Sequence, residues 1–178
     1  MIKLAFRMRR WNGSSTKYLK GNPAPMEFFG SIGSVLGRIY IICDDDAITG
    51  ISIAEKPPAH TVERETDLIS EAKAQLGEYL DGRRKMFDLP YEQKGTPFQE
   101  SVWSALSEIG YGRTRTYGEI AEAIGHPNAY RAVGSACGRN SLPMIVPCHR
   151  AVSSSGIGGF FCGLEVKRKL MAIEGIVI

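Results

Sequence analysis

The stretch IVPCHR, residues 145–150, sets a thiol and an imidazole side by side behind a short apolar run closed by a proline. A thiolate is the competent nucleophile, and its pKa, about 8.5 when free, falls to roughly 3.5–7.5 beside a cation, an imidazolium or a helix N-terminus. His149 and Arg150 are placed to supply part of such a field to Cys148. Met144, Ile145 and Val146 read as a buried strand or extended segment, and Pro147, which cannot donate to a ladder, ends its pairing. In an extended segment neighbouring side chains point to opposite faces, so His149 reaches Cys148 only through a bend or a bridging water. On these residues alone, a small buried cysteine beside a structural histidine stays open as the alternative.

Other chemistries fit the chain less well. Cys43, Cys137, Cys148 and Cys162 form no CxxC pair, so the spacing suggests neither a zinc knuckle nor a disulfide framework. A cysteine hydrolase wants a distant histidine as base, whereas His60 and His126 fall in an expected loop and a turn. GIGGFFCG lacks the GK[ST] ending of a phosphate loop. What is left is a nucleophile working with no cofactor and no metal.

The elements that must position this nucleophile can be read from periodicity. VLGRIYIIC and AITGISIA, joined by DDD, predict a β-hairpin. Leu68, Ile69, Ala72, Leu76, Tyr79 and Leu80 recur at helical spacing ahead of Gly82, which predicts a helix from about Thr66 to Asp81. MFDLPYEQKGTP is a linker rich in turn formers, with a domain boundary expected near Glu92. Beyond it, Phe98, Val102, Trp103, Leu106 and Ile109 share one helical face that ends at Gly110. YGEIAEAIGHPNAYRAVGSACGRN then reads as two helices broken at GHPN, either a helix-turn-helix or a plain helical hairpin. Leu164–Glu174 predicts a last helix, with Leu164, Leu170, Met171 and Ile173 apolar and Lys167–Lys169 on its wet face.

Composition sets the outer limits. The 178 residues are 43% apolar, enough for a real core, and 22 Lys and Arg against 19 Asp and Glu give a net charge of +3. That charge permits an anionic partner without demanding one. Free thiols and the lack of a long apolar run predict a soluble protein of a reducing cytoplasm, with no membrane partner. Residues 1–25 carry six basic residues and no acidic one, and are expected to be a flexible extension or a basic arm.

PCHR behind its apolar run, RAVGSACGRN upstream and GLEVKRKLMAIEG downstream closely resemble the O6-alkylguanine-DNA alkyltransferases. The likeness covers nearly all of residues 95–175, including GTPFQESVWSAL and YGRTRTYGEIA, and extends more loosely over FFGSIGSVLGRIYI, ITGISI and LGEYLDGRRKMFDLP. It implies an α+β protein: a small ribonuclease-H-like α/β domain over residues 26–92, then a mainly helical domain over 93–178 carrying a helix-turn-helix. It also implies irreversible transfer of an alkyl group from O6 of guanine in duplex DNA to Cys148, once per molecule, by a monomer in the cytoplasm, or in the nucleus of a eukaryote. His149 would be the base acting through a water, Glu174 the carboxylate orienting it, Asn140 a brace for the cysteine loop and Tyr117 a donor to the flipped base. Arg131 would fill the gap in the base stack, with Ala129, Tyr130, Ala132, Gly134 and Arg139 on the DNA and the small Ala136 also allowing close approach. Cys137, Ile157, Phe160, Phe161 and Cys162 would line the alkylguanine pocket. The chain departs from the family pattern at Ser141, where proline is usual, and in a pocket loop one residue shorter, where Phe160, Phe161, Cys162 and Gly163 replace Tyr, a small residue, Gly and Gly.

Overall fold

The computed structural model describes residues 26–177. The extension expected over residues 1–25 lies outside the described residues.

Three strands build an antiparallel meander: β1 (Phe28–Ser34) and the β-branched runs β2 (Gly37–Cys43) and β3 (Ile48–Ile53). The β2–β3 turn is closed by Asp44, whose carboxylate accepts the amides of Asp46 and Ala47 at 2.8 and 2.9 Å. A two-residue strand, β4 (Val62–Glu63), pairs parallel to β1, and the sheet order is β3-β2-β1-β4. The expected hairpin is β2–β3. β1 was hidden from pattern reading because its glycines and serines break the alternation of apolar residues. Helix α1 (Asp67–Leu80) lies across β1 and β2, with Thr66 capping its start through the Ile69 amide. It crosses so closely that a Cβ on Gly30 would overlap the Ile69 side chain.

The second half is helical. Helix α2 (Pro97–Ser107) starts in a capping box between Thr96 and Gln99, with Pro97 in the first turn, where its missing N–H costs nothing. A second capping box, Thr116 with Glu119, starts α3 (Tyr117–Ala123) directly after β5 (Arg115–Thr116). Helix α4 (Tyr130–Gly138) follows a break at which Asn128 takes φ 77°, and α3 packs on α4 as a helix-turn-helix. β6 (Ala151–Val152) pairs with β5, and α5 (Leu164–Ile173) ends at Glu174. One hydrophobic cluster runs through both halves, joining Ile39, Ile41, Leu76 and Tyr79 to Trp103, Leu106, Val133, Leu142 and Leu170. Cys148 lies inside it.

Among the described residues no helix is long and apolar enough to cross a membrane.

Candidate active site

The loop that carries the nucleophile is folded around one amide. Asn140, buried just past the end of α4, donates from Nδ2 to Cys148 Sγ at 3.0 Å and to the Val146 carbonyl at 2.8 Å. Its Oδ1 accepts the Leu142 amide at 3.0 Å and Gln93 Nε2 at 2.9 Å, so both donors and both acceptor positions are used. The Val146 amide closes the loop onto the Leu142 carbonyl at 2.8 Å, and Met144 is driven to φ 74°. Residues 144–146 are therefore a tight turn and not the extended segment that their apolar character suggested. Wrapping the loop around Asn140 satisfies more buried polar groups than a strand end would.

Cys148 opens a single 3-10 turn, Cys148–Arg150, in which successive side chains are about 120° apart. His149 accordingly turns away from Cys148 into the interior, where it is fully buried. Its Nε2 lies 2.8 Å from Glu174 Oε1 and 3.3 Å from the Tyr79 hydroxyl, and its Nδ1 has no hydrogen-bond partner among the described residues. Glu174 caps α5 and receives further donors: Arg150 through Nε and Nη2 at 2.9 Å each, the Tyr79 hydroxyl at 2.7 Å and the Gly112 amide at 3.0 Å.

These contacts decide the protonation states. Burial alone pushes the Glu174 carboxyl up, but the hydrogen bonds from His149 and Arg150 outweigh it and hold the group at about 2. An ionised carboxylate only accepts, so His149 carries its proton on Nε2 and exposes a basic lone pair at Nδ1. Burial drives the imidazole pKa down against the opposing pull of Glu174, so the ring is neutral at rest. Burial also pushes the Cys148 thiol up to about 11, with the Asn140 hydrogen bond and Lys167 opposing. The expected lowering by Arg150 is absent, because that guanidinium is committed to Glu174 and to the Ile109 carbonyl. Cys148 at rest is a protonated thiol whose proton must leave as it attacks.

Lys167 was expected on the wet face of the last helix and is instead fully buried. It donates to the Ala151 carbonyl at 2.6 Å and the Gly159 carbonyl at 3.1 Å, tying α5 to β6 and to the pocket loop. Burial lowers its ammonium to about 8, and the nearby Cys148 and Cys137 pull the other way. A signal for this existed in the sequence: Lys167 stands three and four residues before Leu170 and Met171 and seven before Glu174, on the stripe that turns inward. Conversely Leu164, expected in the apolar set, is 41% exposed. Tyr79 and Gln93 had no such signal, since their partners lie far along the chain.

Cys148 faces a cavity of about 330 Å³ that it lines with Tyr117, Gly134, Cys137, Gly138, Gly159, Phe160 and Phe161. Ile157 and Cys162, expected in the pocket, are not among the lining residues. The Tyr117 hydroxyl donates to the Gly159 carbonyl at 3.3 Å, and Gly158, at φ 71°, lets the loop pass where a Cβ would come 2.8 Å from that hydroxyl. Phe160 packs on the core and against Phe161, which is 49% exposed at the mouth. On α4, Arg131, Ala132 and Arg139 are exposed, and the Arg131 guanidinium lies 5.5 Å from the centre of the half-exposed Tyr130 ring. Ala129 is half-buried against the core, and Ala136 is buried with its carbonyl accepting Trp103 Nε1 at 3.0 Å, so Ala136 offers no surface for close approach.

A fold that joins a small mixed α/β domain to a helix-turn-helix domain, with a buried cysteine at the foot of a cavity and a buried histidine–glutamate pair next to it in the fold, is that of a cysteine-acceptor protein built around a DNA-binding module. Family models agree: the ribonuclease-like domain of 6-O-methylguanine DNA methyltransferase matches residues 28–93, and its DNA-binding domain matches residues 97–176. The chain is 41% identical over 160 residues to the constitutive methylated-DNA–protein-cysteine methyltransferase of Bacillus subtilis, covering 85% of this chain and 97% of that protein. It is 48% identical over 153 residues to the methylated-DNA–protein-cysteine methyltransferase of Methanosarcina barkeri, covering 83% and 96%. The crystal structure of the Mycobacterium tuberculosis O6-methylguanine methyltransferase superposes with a TM-score of 0.78 at 38% identity, covering 84% of this chain and 93% of that one. The same mycobacterial protein in complex with DNA gives 0.77, covering 83% and 92%. The chain belongs to the methylated-DNA–protein-cysteine methyltransferase family.

Proposed function

We propose that the protein repairs duplex DNA by moving the alkyl group of O6-alkylguanine onto Cys148, once per molecule and with no cofactor. The observation that carries this reading is Cys148 at the foot of a cavity, followed by a buried His149 whose Nε2 is held by Glu174 and whose Nδ1 is left free.

As the guanine is extruded into the cavity, His149 Nδ1 takes the Cys148 proton through a water, and Glu174 stabilises the imidazolium. Sγ bonds to the alkyl carbon while the carbon–O6 bond breaks, and the electron pair stays on the guanine. Tyr117, at the cavity wall, turns its hydroxyl from the Gly159 carbonyl to donate to the base as that charge builds, and the imidazolium proton restores the balance when the guanine leaves. The product is a thioether with no leaving route. Arg131 fills the vacated stack, and α4 approaches the sugar and phosphate through Ala132, Gly134 and Arg139, contacts that read shape and charge more than sequence. Extrusion costs a few kcal/mol and least at a weakly paired lesion. Residues 26–92 and 93–178 form the two working units, and the protein acts as a monomer with no membrane partner, in the cytoplasm or, in a eukaryote, the nucleus.

The test is incubation with a duplex labelled on an O6-methyl group. Label is expected on Cys148, saturating at one per protein, and none on Cys148→Ala. Duplex binding without transfer, or repeated turnover, would overturn the reading.

A further inference from the structure

Within the second domain Glu174 is held by His149, Arg150 and the Gly112 amide, yet one contact comes from elsewhere. Tyr79, in α1 of the first domain, donates its hydroxyl to Glu174 Oε1 at 2.7 Å and lies 3.3 Å from His149 Nε2. Its ring is fully buried, edge-on to Tyr111 at 6.3 Å and tilted against Phe87 at 5.3 Å. Phenylalanine would fill this space equally well, and a buried phenol must find a partner for its hydroxyl or destabilise the core. The partner here is the carboxylate behind the proposed base, 95 residues away along the chain. The transfer steps set out above give Tyr79 no part.

We infer that Tyr79 is a positioning residue for alkyl transfer: its hydroxyl fixes the edge of Glu174 that holds His149 with Nε2 protonated and Nδ1 free for the proton of Cys148. This rests on the proposed role of His149 as base.

Two arguments support it. The single Tyr79 proton is spent on Glu174, so at Nε2 the phenol presents only lone pairs, as does the ionised carboxylate. Nε2 therefore faces two acceptors and must itself carry the hydrogen. Each donor to Glu174 also spreads its negative charge and weakens its hold on an imidazolium, so Tyr79 lowers the proton affinity of His149. The other groups facing the imidazole are Glu174 and Lys167 from α5 and Arg150 from its own turn, and the Tyr111 ring closes over Arg150 and Tyr79. Arg150 and Lys167 are cations that disfavour the imidazolium whether or not Tyr79 is present, so their influence is common to every variant below.

The experiment is single-turnover methyl transfer from an O6-methylguanine duplex at saturating protein, measured across pH with the full chain. Tyr79→Phe is expected to slow transfer on the order of tenfold at low pH, the worth of one lost hydrogen bond to a charged group. Its acid limb should move to higher pH, because a less delocalised carboxylate makes His149 easier to protonate, while duplex affinity stays unchanged. Replacing Tyr79 by 3-fluorotyrosine, a stronger donor of the same shape, should move the limb to lower pH and leaves no cavity if the phenylalanine variant folds poorly. Tyr111→Phe removes a second hydroxyl nearby, one that donates to the Ile173 carbonyl at 2.8 Å, and is expected to lower the melting temperature without moving the limb. Profiles of the wild type and both Tyr79 variants that superimpose after scaling would overturn the assignment, as would a Tyr111→Phe limb displaced as far as that of Tyr79→Phe. Wild-type protein that transfers nothing would instead overturn the proposed function, so the two failures are told apart.

Discussion

The two sides of Cys148 are built by opposite rules. Behind it, Asn140, His149, Arg150 and Glu174 are all buried: His149 and Arg150 bond to Glu174, Asn140 bonds to Cys148 and its loop, and of their buried side-chain atoms only His149 Nδ1 is left without a partner among the described residues. In front of it, the cavity is walled by glycines, Tyr117 and two phenylalanines, and its mouth is edged by the half-exposed Phe161. A saturated polar network admits one arrangement, and a partial loss is worse than none because each orphaned group pays full desolvation. An apolar wall tolerates changes of shape at small cost. The rear half is thus held in one arrangement, and the front half is free to vary in shape.

The largest effect should come from breaking the rear. Glu174→Gln removes the charge that faces buried Arg150 and is expected to cost about 3–5 kcal/mol of stability, as an uncompensated buried ion does, together with most transfer activity. Chemical denaturation and the labelled-duplex reaction check the two parts. The same carboxylate sets acid sensitivity: its folded pKa is depressed to about 2 from 4.5, so its contribution is present above pH 4.5 and is lost as pH falls toward 2. A wild-type melting temperature that does not fall across that window more steeply than that of Glu174→Gln would contradict this account.

Arg131 is exposed on α4 and belongs to neither the cavity lining nor the bonds at Glu174. Arg131→Ala is expected to slow repair in duplex DNA by roughly tenfold or more while sparing reaction with free O6-alkylguanine base, which needs no extrusion. Equal losses on both substrates would assign Arg131 to folding.

The smallest change should follow from the front wall. Losing one neutral hydrogen bond to the base costs roughly 0.5–1.5 kcal/mol, and overlap with a bulky group about 1–3 kcal/mol, so Phe161 should discriminate by size more than it slows the reaction. O6-methylguanine is expected to react and O6-benzylguanine to react poorly, with Phe161→Ser recovering the benzyl reaction preferentially. The ratio of the two single-turnover rates decides it, and an unchanged ratio removes Phe161 from the pocket.

What is written locally was the easier part to read from sequence. Helix starts are written locally, in Thr66, Thr96 and Thr116 and in the partners Gln99 and Glu119 that complete two capping boxes. The adjacency of Cys148 and His149 is likewise local. The rear depends on residues whose types mislead when read one at a time. Tyr79 reads as one more apolar member of an amphipathic stripe, and only its partner 95 residues away shows why its hydroxyl is kept. Lys167 reads as a surface charge, because a lysine is rarely buried without carbonyls to receive it, and those carbonyls belong to Ala151 and Gly159. Residues 144–146 read as a strand because periodicity counts apolar side chains and takes no account of the Asn140 amide around which the loop turns.

The outer edge of β3 has a further consequence. Its amides and carbonyls are taken by chain that lies beyond the sheet: Ile48 exchanges bonds with Pro90 and Glu92, and the Ile51 amide donates at 2.8 Å to the carbonyl of Ser141, in the loop that wraps Asn140. An uncovered sheet edge is a template for self-association. The linker and the nucleophile loop therefore also act as a sealing strip for the first domain. Cut loose from the second domain, that sheet would present Ile51 to any passing strand, so the first domain's solubility depends on the reactive half staying folded against it.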